Sequence, residues 1–187
     1  MTCATEAYEP NVPVARARLE PLGVQVDQIS DEEKLPYEDG FFDLIINRHE
    51  SYSVSEVYRI LKTGALFVTQ QVGGRNDIGL NKLLGAPVGA SHEWGDWDID
   101  WGLGTQSKEL EEGGFKVLEG NECFPVSRFF DIGAVVYYLK VIPWQIQDFT
   151  VDKYRDALRR LQGTILEEGY VDVASHRFII VSKKTYR

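Results

Sequence analysis

The chain has 187 residues and a formal net charge of −9, from 20 Lys and Arg against 29 Asp and Glu. That length holds one well-buried core or slightly more, and the acidic balance argues against a nucleic-acid partner, whose phosphates it would repel. Two cysteines, Cys3 and Cys123, make no disulfide framework or metal set, the N-terminus has no secretory pattern, and no apolar run is long enough to span a bilayer, so the sequence reads as cytoplasmic with no membrane partner.

Residues 2–5 are short and apolar or β-branched and suit a strand. Asn11 can cap a helix with Pro13 near its start, Val12, Ala15, Leu19 and Leu22 follow helical spacing, and Gly23 supplies the stop. Val24–Ile29 alternates and reads as a strand. A charged turn, Asp31–Lys34, and a loop ending at Gly40 follow. Phe42–Asn47 carries Leu44-Ile45-Ile46, the run of a strand buried on both faces. Ser53 and Glu56 form a capping-box pattern before a helix with Val54, Val57, Tyr58 and Leu61 on one face, ended by Thr63-Gly64. Ala65–Gln71 reads as another buried strand, closed by Gly73-Gly74.

Residues 75–104 read as irregular. A helix over 107–112, a strand over 115–118, a helix over 129–139, an amphipathic helix over 150–168 and a final strand over 177–182 complete the pattern. Strands alternating with helices predict an α/β fold with a mostly parallel sheet covered on both faces. Such sheets bind ligands at the carboxyl ends of their strands.

Polar residues stand at those ends. Glu6 follows the first strand, where a carboxylate can accept from both hydroxyls of a ribose; a surface glutamate at a helix start is the competing reading. Asp31 follows the second strand, Asn47-Arg48-His49-Glu50 the third, and Gln70 and Gln71 end the fourth. His49 beside Glu50 could serve as general base, with Tyr52 a further candidate. Trp94, Trp97 and Trp101 suit a lid over an apolar acceptor, or plain loop packing. The three histidines have no metal spacing, and Asp96, Asp98 and Asp100 lack the glycine and glutamate of a calcium loop, so no metal is expected.

Several segments carry a family resemblance. Leu35-Pro36-Tyr37-Glu38-Asp39-Gly40-Phe41-Phe42-Asp43-Leu44-Ile45-Ile46 resembles the L-P-F-x-D-x-x-F-D-[LV]-[VI] segment of class I S-adenosylmethionine-dependent methyltransferases. Glu56-Val57-Tyr58-Arg59-Ile60-Leu61-Lys62-Thr63-Gly64-Ala65 resembles their E-x-x-R-[VI]-L-K-P-G-G helix and turn, departing at Thr63 and Ala65. Leu110-Glu111-Glu112-Gly113-Gly114-Phe115 resembles the late L-x-x-A-G-F segment, and Thr5–Asn11 with Ala15–Leu19 resembles strand two and helix two.

The resemblance implies a Rossmann-like three-layer sandwich with a mostly parallel sheet and an antiparallel C-terminal strand. It implies S-adenosylmethionine as cofactor, with Glu6 on the ribose, Asp31 on the adenine amino group, Ala7 or Tyr8 against the adenine, and Asn47 and Arg48 toward the methionine end. Gln71, Trp94 and Trp97 would face a small-molecule acceptor, and Glu50 or His49 would act as base. Asn47-Arg48-His49-Glu50 departs from the D/N-P-P-Y signature of enzymes that methylate amino groups of nucleic acids. Residues 1–187 read as one N-terminally truncated domain, with 75–104 and 124–150 as lid or substrate insertions. The family's strand one, with its glycine-rich loop, has no counterpart, since the sequence begins at what resembles strand two. Direct pairing of the flanking strands, or a homodimer, is expected to close that gap. The competing functional reading is an inactive methyltransferase-like module that serves in interactions. A nicotinamide dehydrogenase is disfavoured because no G-x-G-x-x-G occurs.

Overall fold

The computed structural model describes residues 1–89 and 98–186. The chain forms two compact units, one of Met1–Thr69, Glu109–Glu119 and Val181–Arg187, the other of Gln70–Lys108 and Gly120–Ile180.

In the first unit, β1 (Thr2–Glu6) pairs in parallel with β2 (Val24–Gln28), from Thr2 opposite Val24 to Glu6 opposite Gln28. A parallel pair needs a crossover, here α1 (Val12–Leu19) flanked by single 3₁₀ turns. Pro13 lies in the first turn of α1, where no amide hydrogen is required, and Gly23 ends the connection at φ +80°. Asn11 occupies the N-cap position but makes no side-chain cap bond.

β3 (Phe42–Arg48) is preceded by an aromatic group: the Tyr37 and Phe42 rings meet edge-on at 4.7 Å, and the Tyr37 hydroxyl donates to Asp27 at 2.9 Å. α2 (Val54–Ile60) follows. Its expected capping box does not form. The Ser53 hydroxyl donates to Glu33, while the buried Glu56 carboxylate accepts from the Leu35 amide at 2.7 Å and pairs with Arg59 at 2.6 Å. Arg59 in turn reaches Asp39 and the Leu35 carbonyl. Glu56 is drawn away from the helix start because a cation and a loop amide together satisfy it better than one cap donor.

The helix stops at Ile60, earlier than Thr63-Gly64 suggests, because Leu61 is already extended at φ −79°, ψ 141° and opens β4 (Leu61–Val72). Along β4, Ala65, Phe67, Thr69 and Gln71 are buried in alternation. With β5 (Phe115–Cys123) and β8 (Arg177–Lys184), it makes a four-stranded sheet of order β3-β4-β8-β5. The whole is a mixed α/β fold with a mostly parallel central sheet.

In the second unit, β6 (Val126–Phe129) pairs antiparallel with β7 (Val171–Ala174). Leu80 and Leu84 of α3 (Ile78–Leu84), Val135 and Leu139 of α5 (Ile132–Val141), and Leu158, Leu161 and Ile165 of α6 (Arg155–Glu168) share one buried core. α3 falls within the stretch read as irregular, since Gly79 and Asn81 are poor helix formers. Burial of Leu80 and Leu84, and Asn81 donating to the Pro87 and Gln145 carbonyls, hold it. α5 starts at Ile132 rather than 129 because the Asp131 carboxylate caps it, accepting from the Ala134 amide at 2.8 Å. α4 (Leu103–Glu112) begins before 107 and α6 begins after 150.

A second departure concerns β3. The sequence reads it as buried on both faces, yet Leu44 is 48% and Ile46 70% exposed. β1 pairs only with β2, and β3 ends the four-stranded order, so the expected direct pairing of β1 with β3 does not occur among the described residues. The Tyr37–Phe42 aromatic group, tied to β2 through Asp27, holds the start of β3 while the space between β1 and β3 stays open.

Candidate functional site

That space is a cavity of about 470 Å³, and it lies wholly within the first unit. Its long walls are β1, through Cys3, Ala4 and Thr5, and β3, through Leu44, Ile45 and Ile46. Its rim collects the residues that follow three strands: Glu6 and Ala7 after β1, Asp31 after β2, and Asn47, Arg48 and Glu50 at and after the end of β3. Alternating burial along a strand does not select these positions; topology does, because the strands end together.

The rim is partly organised. Glu6 accepts from the Tyr8 amide at 2.8 Å through one carboxylate oxygen. Asp31 accepts from the Glu33 amide at 2.8 Å. Thr69 donates to the Asn47 side-chain oxygen at 3.0 Å, which orients that amide. Tyr52 also lines the cavity, edge-on to the buried Phe67 ring at 4.9 Å. Burial, and then the nearby Glu109 carboxylate, push the Tyr52 phenol well above its ordinary range, against a weaker opposing hydrogen bond with Thr69. Tyr52 therefore stays protonated and suits a hydrogen-bond donor, not the base the sequence offered.

Of the residues singled out in the sequence, Glu6, Ala7, Asp31, Asn47, Arg48 and Glu50 meet at this cavity. Tyr8 is 64% exposed and His49 has a left-handed backbone at φ +56°; neither lines it. Gln71 is buried in the second unit. Trp94 and Trp97 lie outside the described residues. Sequence reasoning passed over the apolar walls Ile29, Leu35 and Phe42. Their signal was position: each is next to a strand end or in the loop joining two strands.

The second unit has a buried polar group of its own. His176 is buried, its Nδ1 accepting from the Arg75 amide and its Nε2 2.9 Å from Glu122. A Cβ at Gly73 would fall 2.1 Å from that ring, so only glycine fits there. Glu122 is held below the ordinary carboxylate range, chiefly by its hydrogen bond with His176. These contacts knit the segment after β4 to the start of β8 and account for the group structurally.

No family model and no curated protein matches the sequence. Solved structures do. A protein of Bacillus halodurans described as a methyltransferase superposes over 98% of this chain and 83% of its own, with TM-score 0.63 and 18% identity. A Methanosarcina mazei protein described as S-adenosylmethionine-dependent covers 99% and 82%, with TM-score 0.52 and 13% identity. This is the class I methyltransferase fold. The same fold occurs in the [4+2]-cyclase SpnF, where the chain spans 66% of that protein at TM-score 0.55 and 16% identity. The methyltransferase fold alone therefore does not fix the reaction.

Proposed function

We propose that this chain is an S-adenosylmethionine-dependent methyltransferase acting on a small-molecule acceptor. The observation that carries the reading is the convergence of Glu6, Asp31 and Asn47 on one cavity at the ends of three strands. The donor set fits the nucleoside half of the cofactor. Glu6 has one oxygen engaged by the Tyr8 amide and a second to accept from a ribose hydroxyl. Asp31 can accept from an adenine amino group, and Ile29 and Leu35 give the ring an apolar wall. For the methionine half the cavity offers Asn47 and Arg48 in place of a glycine-rich cradle.

The cofactor would supply a methyl group activated by a sulfonium. The chain's part is positioning. Arg48 and Asn47 would hold the methionine end, and Glu50 would take the proton of an acceptor hydroxyl or amine as its lone pair bonds to the methyl carbon. The chemistry the cofactor would supply is that transfer, its sulfur leaving as a neutral thioether, while Arg48 and Asn47 would keep its methionine end in place. Glu50 is preferred to His49 as the base because it lines the cavity.

The second reading is a module that keeps the fold without the activity. It is favoured by the cavity lining, which among the described residues contains no glycine to let a backbone close on the methionine half. Calorimetric titration with S-adenosylhomocysteine separates the two. Binding that Glu6→Ala weakens by about tenfold or more, the size expected for a hydrogen bond to a charged group, supports the enzyme. No binding to folded protein would overturn it.

A further inference from the structure

We propose that Thr69 is a positioning residue of the candidate site, its buried hydroxyl fixing the Asn47 amide for the carboxylate of the ligand's methionine half. The inference rests on the cofactor reading above and deepens it.

Thr69 is fully buried on β4, in the same row as Ala65 and Phe67. Nothing in that apolar row calls for an oxygen. A valine would fill the space and suit a strand as well, whereas a buried hydroxyl costs stability unless it is bonded. The bonds that Thr69 makes therefore account for it. It donates to the side-chain oxygen of Asn47, on the neighbouring strand β3, at 3.0 Å. It also shares a hydrogen bond with the Tyr52 phenol.

The two bonds run in one direction. A hydroxyl has a single hydrogen, and that of Thr69 goes to Asn47. Tyr52 is then the donor in the other bond. Burial, and after it the Glu109 carboxylate, keep its phenol protonated near neutral pH, as a donor must be. The Tyr52 ring is itself held, edge-on to Phe67 at 4.9 Å, so the chain of bonds starts from a fixed point. An asparagine amide has two orientations of similar energy, which differ in the atom they present. With its oxygen held by Thr69, Asn47 meets the cavity it lines as a hydrogen-bond donor. Arg48, next along the rim, carries only donors. Two adjacent donors suit a carboxylate, the group that sets the methionine half apart from the nucleoside half.

The test is calorimetric titration of the full chain with S-adenosylhomocysteine and with 5′-methylthioadenosine, which keeps the nucleoside and the sulfur but has no carboxylate. Thr69→Val should weaken the first by about three- to tenfold, the size of one neutral hydrogen bond, and leave the second unchanged. Thr69→Ser, which keeps the hydroxyl, should recover the lost affinity. In an Asn47→Ala background Thr69→Val should cost nothing further, because Thr69 acts through Asn47. Tyr52→Phe, which spares the contact with Phe67, should also weaken S-adenosylhomocysteine alone, and it carries the test if Thr69→Val does not fold. Equal weakening of both ligands, an additive loss in the double variant, or no recovery in Thr69→Ser overturns the proposal. The side-chain amide resonances of Asn47, read by nuclear magnetic resonance without ligand, should move in Thr69→Val and return in Thr69→Ser. A parent protein that binds neither ligand overturns the cofactor reading and the role built on it. Binding by the parent with those resonances unmoved in Thr69→Val overturns the role of Thr69 alone.

Discussion

At the scale of single residues, Glu56 shows how one carboxylate can be taken from its local role. The spacing Ser53–Glu56 is that of a capping box, but Arg59 and the Leu35 amide claim the carboxylate. Their hydrogen bonds, Arg59 first, hold its pKa below the ordinary value against the cost of burial. A lowered folded-state pKa contributes stability above the unfolded value that is lost as pH falls through the folded one. Glu56→Gln should therefore cost about 2 kcal/mol near neutral pH and flatten the acid limb of stability. Urea melts at pH 7 and pH 3 will show this as a gap between variant and parent that narrows on acidification. The sequence displayed Glu56 and Arg59 but not the loop amide that decides between two uses of the same group. The rim was more legible: Glu6, Asp31 and Asn47 were marked by standing after strands, which topology alone can signal. Tyr8 and His49 are adjacent in sequence to lining residues yet do not line the cavity, because neighbouring positions along a strand end do not share a face.

At the scale of elements, strong periodicity carried through and weak periodicity did not. α6 buries Leu158, Leu161 and Ile165 along one stripe, as its spacing requires. Leu161→Ala should cost about 2–5 kcal/mol, whereas Leu166→Ala, on the opposite and exposed face, should stay within about 0.5 kcal/mol. Chemical denaturation of the two variants makes the comparison, and equal losses would contradict the packing described. β7 was missed because four residues give too little alternation to read. α3 was missed because tertiary burial overrides the poor propensities of Gly79 and Asn81. β3 was recognised as a strand, but among the described residues it ends its sheet with β4 as its one strand neighbour, so Leu44 and Ile46 stay exposed.

For the molecule as a whole, the alternation of strands and helices was enough to give an α/β fold with a mostly parallel sheet. It could not show that β1–β2 and β3-β4-β8-β5 remain separate sheets, because lateral pairing depends on what fills the space between edges, not on the pattern along either one. The open space also has a chemical signature. Cys3 sits half-buried on its wall, and burial, followed by the Asp27 charge, raises its thiol; Cys123 is exposed. Since the thiolate is the reactive form, an alkylating reagent should modify Cys123 first by about tenfold, as mass spectrometry of peptides will show. Anything that fills the cleft should silence Cys3 and leave Cys123 untouched. The protein thus contains two sulfur atoms that act as indicator and reference, and their relative labelling reports in minutes whether the seam between its sheets is open or shut.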